Sequence, residues 1–171
     1  LEILYFLIPA AIAYAAPLIV TAIGGVFSER SGVVNIGLEG LMVMGAFIGI
    51  LFNLTFVNVF GEGTEWVALL AAMVVAALLS LLHAVASVSF RADQVVSGVA
   101  INLLAVALCL FLVKMIYDKG QTDFVQERFL RDDIPFLKDI PILGPMFFQN
   151  VYWTSVLAIG IAILAWVVLY Y

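Results

Sequence analysis

Five long apolar stretches separated by short polar connections dominate the chain. They run roughly over Leu4–Phe27, Ile36–Phe60, Trp66–Ser89, Val95–Tyr117 and Val151–Tyr171. Each is close to the roughly 20 apolar residues that a helix needs to cross a bilayer. None shows the apolar/polar alternation over about ten residues that marks the strands of a transmembrane barrel. The first stretch is too long for a cleaved signal peptide and has Glu2 where such a peptide carries a positive charge. The pattern predicts an all-α fold, a polytopic transmembrane bundle of about five spans, or four spans plus a re-entrant element. It forms one transmembrane domain over residues 1–171.

Composition agrees and removes alternatives. The chain is 65% hydrophobic and 11% charged, against roughly 45–50% apolar and about 25% charged in ordinary soluble domains. A soluble globule of 171 residues cannot hide that much apolar surface, and disordered chains are poor in it. A formal net charge of −5 speaks against a nucleic-acid partner, which requires a basic surface. The single cysteine, Cys109, lies inside an apolar run and permits no internal disulfide.

Arg30 and Arg91 lie in the connections after the first and third stretches, while Gly61–Glu65 carries two acids and no base. The positive-inside rule then places the first terminus outside and the Tyr171 end in the cytoplasm. The four bases of Asp118–Asn150 oppose this, although six acids accompany them. Pro135, Pro141 and Pro145 among apolar residues make that segment an outer loop or cap rather than a flexible linker.

Small residues predict close packing. Ala68, Ala72, Ala76, Ser80 and Ala84 recur every four residues along the third span, and Gly45 and Gly49 form a GxxxG pair in the second. Smooth faces of this kind let helix backbones approach in lipid. Pro9 and Pro17 are expected to kink the first helix.

Polar groups enter the membrane mainly near Gly24–Gly45, which reads GGVFSERSGVVNIGLEGLMVMG. Asn35 and Glu39 stand where the second apolar run begins, and Gly32, Gly37, Gly40 and Gly45 punctuate a glycine-broken stretch over about 32–45. Two readings stay open: a solvated turn, or a broken helix lining a cavity, as transporters use to hold solutes. Glu39, ionisable and next to hydrocarbon, is a functional candidate or a carboxylate at a helix start. Asn102 is an interhelical or solute-facing residue, His83 a hydrogen-bonded packing residue or a proton relay, and Asp93 a helix N-cap. No GxxxxGK phosphate loop, HExxH metal motif or nucleophile–base spacing occurs. The sequence therefore offers no catalytic residue and no metal ligand set. An ion-coupled carrier or channel, and an intramembrane enzyme, are rival readings with little in the sequence to carry them.

The runs GGVFSERSGVVNIGLEGLMVMGAF (24–47) and DQVVSGVAINLLA (93–105) resemble the membrane permease subunits of bacterial ABC importers. The branch is the one serving simple sugars, nucleosides and branched-chain amino acids, and the SERSGVVNIGLEG wording is most similar to nucleoside permeases. The resemblance implies a subunit of the bacterial plasma membrane without catalysis or cofactor of its own. Its implied partners are an ABC ATPase subunit, a second permease subunit, an extracytoplasmic substrate-binding protein and the lipid bilayer. It implies that Asn35, Glu39 and Asn102 line the substrate pathway and that the glycines of 32–45 gate it. Branched-chain amino acid transport is the alternative within the same branch. Leu1 in place of Met, and a last span ending at Tyr171, point to a truncated chain matching the first half of such a permease. The basic segment that docks on the ATPase would then lie beyond it.

Overall fold

The computed structural model describes residues 2–125 and 127–171. Its main elements are α1 (Glu2–Arg30), α2 (Leu38–Phe60), α3 (Thr64–Ala84), α4 (Gln94–Tyr117), a short α5 (Leu143–Phe147) and α6 (Trp153–Tyr170). A two-residue antiparallel pair, β1 (Arg131–Asp132) with β2 (Val151–Tyr152), is the β structure among the described residues. Five helices, with α3 extended to Ser89, are long and apolar enough to span a membrane. At most 28% of any span's most apolar window is buried within the chain. Most of each helix surface is therefore left uncovered by the described residues.

The expected boundaries need three adjustments. α1 continues through Gly24 and Gly25 to Arg30, and both Pro9 and Pro17 lie inside it. The break expected over 32–45 is confined to the non-helical segment between Arg30 and Leu38. Gly40 and Gly45 belong instead to an unbroken α2. The third span closes in a π-helical turn, Val85–Ser89, after which Arg91 reverses the chain with φ of 54°. Asp93 then caps α4, its carboxylate accepting the Val96 N–H at 3.0 Å.

The chain divides into two compact units. One comprises the chain up to Gly24 with Phe129–Tyr171. In it the segment expected as an outer loop folds back on itself. Arg131 pairs with Tyr152 and stacks its guanidinium 5.1 Å from that ring, and Asp133 accepts the Asn150 N–H at 3.0 Å. The Ile134 N–H donates to the Phe148 carbonyl at 2.8 Å. Backbone donors and acceptors are met locally, as a proline-bearing excursion requires.

The second unit, Gly25–Arg128, packs α2 between α3 and α4. Its core is Met44, Phe47, Ala105, Cys109 and Val113, with Val75 and Leu79 of α3 laid against it. The small-residue faces meet: a Cβ built on Gly45 would lie 3.8 Å from that of Ala76, and one on Gly49 3.7 Å from that of Ala72. Ala68 of the same ridge is buried, whereas the Ser80 hydroxyl turns back to the Ala77 carbonyl at 2.7 Å. These separations are ordinary van der Waals contacts. Gly45→Ala and Gly49→Ala are therefore expected to change stability by less than about 1 kcal/mol each, measured by thermal unfolding in detergent. Near the far end of α2, buried Asn53 donates to the Glu127 carbonyl at 2.7 Å, tying the chain beyond α4 to the helix.

Candidate functional site

Several polar residues of the second unit gather where the start of α2 meets one face of α4. Gln94, Gly98 and Asn102 recur at intervals of four, which places them one above another on a helix. Against that face runs the non-helical segment between α1 and α2. At its start the Gln94 side chain accepts the Val34 N–H at 2.8 Å and donates to the Gly32 carbonyl at 3.4 Å. One turn further, the backbone passes so close that a Cβ on Gly98 would lie 2.9 Å from the Gly37 nitrogen. One turn beyond that, the Asn102 side chain donates to the Ile36 carbonyl at 3.0 Å and accepts the Gly40 N–H at 2.7 Å.

Buried His83, from the end of α3, closes the other side. Its Nε2 lies 3.1 Å from the Val34 carbonyl, and its Nδ1 3.0 Å from the Ser97 hydroxyl. A carbonyl only accepts, so Nε2 carries a proton and donates to Val34. The expectation of a hydrogen-bonded packing histidine describes this arrangement.

These contacts explain why the residues between Arg30 and Leu38 can leave helical geometry within a bundle. Backbone groups away from water must find protein partners, and Gln94, Asn102 and His83 supply them. Asn102 also acts as a cap from a neighbouring helix. The residue before α2, Gly37, has no side chain to cap it, and the Gly40 N–H is one of the first-turn donors that a helix leaves unmatched. Asn102 supplies that acceptor across the helix interface. The arrangement depends on glycine: a Cβ on Gly40 would lie 2.8 Å from the Asn102 Cα and 2.9 Å from the Ile101 carbonyl.

The candidates read from the sequence separate into different roles. Asn35 folds back on its own chain, its Oδ1 accepting the Gly37 N–H at 2.9 Å. Gly32 turns the chain just after α1 with φ of 86°, a left-handed conformation that only glycine adopts without strain. Gly37 and Gly40 sit at the closest approach of α2 to α4, and Gly45 faces α3 instead. Asn102 has both ends of its amide engaged with backbone. Glu39 projects into an open groove of about 410 Å³, where its neighbours include Asn102, Leu103, Val106, Ala107 and Leu110. Among the described residues, no hydrogen bond or ion pair engages its carboxylate. No group of three or more potential metal ligands occurs among them either.

Sequence reasoning singled out the run over 93–105 but gave Gln94, Ser97 and Gly98 no role of their own. The signal was present as the four-residue recurrence of Gln94, Gly98 and Asn102 on an otherwise apolar helix. No such signal announces the π-helical turn.

Comparison with known proteins places this architecture. The family described as branched-chain amino acid transport system / permease component matches residues 7–171. The chain is 59% identical over 99% of its length to the guanosine ABC transporter permease protein NupQ of Bacillus subtilis (strain 168). It is 48% identical over 92% of its length to the nucleoside ABC transporter permease protein NupC of Lactococcus lactis subsp. cremoris (strain MG1363). A putative glucose ABC transporter permease protein, TsgC13 of Haloferax volcanii, is 31% identical over 96% of the chain. The chain spans about half the length of these relatives, covering 53%, 49% and 47% of them respectively. No solved structure matches. The chain is a multi-pass membrane protein and belongs to the branched-chain amino acid transport system permease family, whose members are transport components rather than enzymes.

Proposed function

We propose that this chain builds part of the translocation pathway of an ABC importer for nucleosides. The observation that carries the reading is 59% identity to a guanosine permease, sustained over 99% of the chain. The pathway side is the face where α2 begins beside α4, because Gln94, Asn102, His83 and Glu39 converge there. Its partners are an ABC ATPase subunit, a second permease subunit and an extracytoplasmic substrate-binding protein, in a bacterial plasma membrane. ATP hydrolysis belongs to the ATPase subunit, and this chain supplies the passage.

Arg30 and Arg91 put the α1–α2 and α3–α4 connections in the cytoplasm and the chain's first terminus outside. The segment after α4 then meets the binding protein. A phosphatase reporter, active only outside the cytoplasm, is expected to be active when joined after Glu62 and silent after Ala92. The reverse result overturns the orientation.

The test of transport is uptake by the complete transporter reconstituted in vesicles, offered labelled guanosine, glucose and leucine in turn. ATP-dependent guanosine accumulation that unlabelled nucleosides compete away is the expected result. Accumulation of leucine or glucose without guanosine overturns the reading.

A further inference from the structure

Glu39 is the one charged side chain that the second unit presents in the groove beside α4, and its level along that helix can be fixed. Its neighbour Gly40 is hydrogen-bonded to Asn102, which stands about 12 Å along α4 from Gln94 at 1.5 Å per residue. A carboxylate that far along a spanning helix is costly against hydrocarbon. This face therefore meets something polar rather than lipid tails, and in the nucleoside reading that is the solute or its water.

Beyond Glu39 the groove continues as Leu103, Val106, Ala107 and Leu110, spaced i, i+3, i+4 and i+7 on one exposed stripe of α4. The groove is open on one side, with Leu103 and Leu110 exposed, and holds about 410 Å³. Asn102 is committed to backbone at both ends, so the charged acceptor in the groove is the Glu39 carboxylate. An ionised carboxylate only accepts hydrogen bonds. The complementary solute has apolar faces and one edge carrying donors.

Resting on the nucleoside reading above, we infer that Glu39 is a specificity-determining residue. It accepts hydrogen bonds from the donor edge of a purine base whose ring lies along Val106 and Ala107. Guanine presents N1–H and the N2 amino group side by side, a pair that a carboxylate accepts with both oxygens. Hypoxanthine keeps only N1–H. Adenine sets one amino donor beside a lone pair at N1, which the carboxylate repels. The ribose hydroxyls stay at the open side of the groove, since the apolar stripe offers them no partner. The order of preference imposed by Glu39 is guanosine over inosine over adenosine.

The test compares the complete transporter carrying wild-type permease with one carrying Glu39→Gln, with membrane abundance and the other subunits held the same. Glutamine keeps the shape but replaces one acceptor by a donor. The guanosine-to-adenosine ratio of uptake efficiencies is expected to fall about tenfold or more, the loss of one hydrogen bond to a charged group. The inosine-to-adenosine ratio is expected to fall less. Should Glu39→Gln leave no measurable uptake, Glu39→Asp, which withdraws the charge by one methylene, is read by the same ratios. Unchanged ratios in a transporting variant overturn the assignment of Glu39 while leaving nucleoside transport standing. Absence of any nucleoside uptake by the wild type overturns both.

Discussion

Gly40→Ala is expected to destabilise the protein more than any other single methyl addition on α2, by about 3 kcal/mol or more. The new methyl would meet the Asn102 Cα at 2.8 Å and the Ile101 carbonyl at 2.9 Å. Both are backbone atoms of α4, so no side chain can turn aside. The two helices must separate, which also stretches the 2.7 Å bond from the Gly40 N–H to Asn102. Gly45 and Gly49 are the informative controls because their added methyls would meet ordinary contacts of 3.7–3.9 Å. Thermal unfolding of detergent-purified protein, with the three variants side by side, reads the difference. Similar losses at all three positions would mean that α2 and α4 are not held as close as the structure shows.

Removing the Asn102 side chain is the second large effect. Asn102→Ala leaves the Gly40 N–H and the Ile36 carbonyl without their partners. Stranding the half-buried Gly40 N–H costs roughly 1–3 kcal/mol, and the exposed Ile36 carbonyl adds less. Asn102→Asp separates the two bonds: it keeps the acceptor for Gly40 but turns a carboxylate oxygen toward the Ile36 carbonyl, where the amide had donated. Aspartate is therefore expected to rescue little despite its matching shape. The measurement is unfolding in detergent beside ATP-dependent uptake. Full rescue by Asn102→Asp would show that the bond to Ile36 carries no weight.

The spans were legible because a run of about 20 apolar residues has few structural solutions, and the stretch bounds read at Trp66 and Tyr117 fall at or beside helix ends. Polarity alone singled out Asn35, Glu39 and Asn102, yet their roles depend on register between helices. Asn35 closes a local turn, Asn102 joins two helices, and Glu39 is left facing the groove. Gly24 and Gly25 looked like part of a break, but glycine in a helix costs only about 1 kcal/mol, and α1 runs through them. The GxxxG pair at Gly45 and Gly49 drew attention to α3, whereas the tighter approach lies at Gly37, Gly40 and Gly98 between the start of α2 and α4. His83 and Gln94 hold the backbone before α2 through contacts 49 and 60 residues apart in sequence, which no local pattern encodes. The π-helical turn at Val85–Ser89 carries no local sequence signature that distinguishes it from the helix before it.

The central claim is that the α4 face bearing Val106, beside Glu39, lines a water-filled pathway for nucleosides rather than facing lipid. Val106→Cys tests it directly, in the assembled transporter with Cys109 and every other cysteine of the assembly replaced by alanine. The expected result is reaction with a membrane-impermeant, water-soluble thiol reagent at a rate that guanosine slows. A thiol that such a reagent never modifies, but that a lipid-soluble maleimide does, would contradict the account.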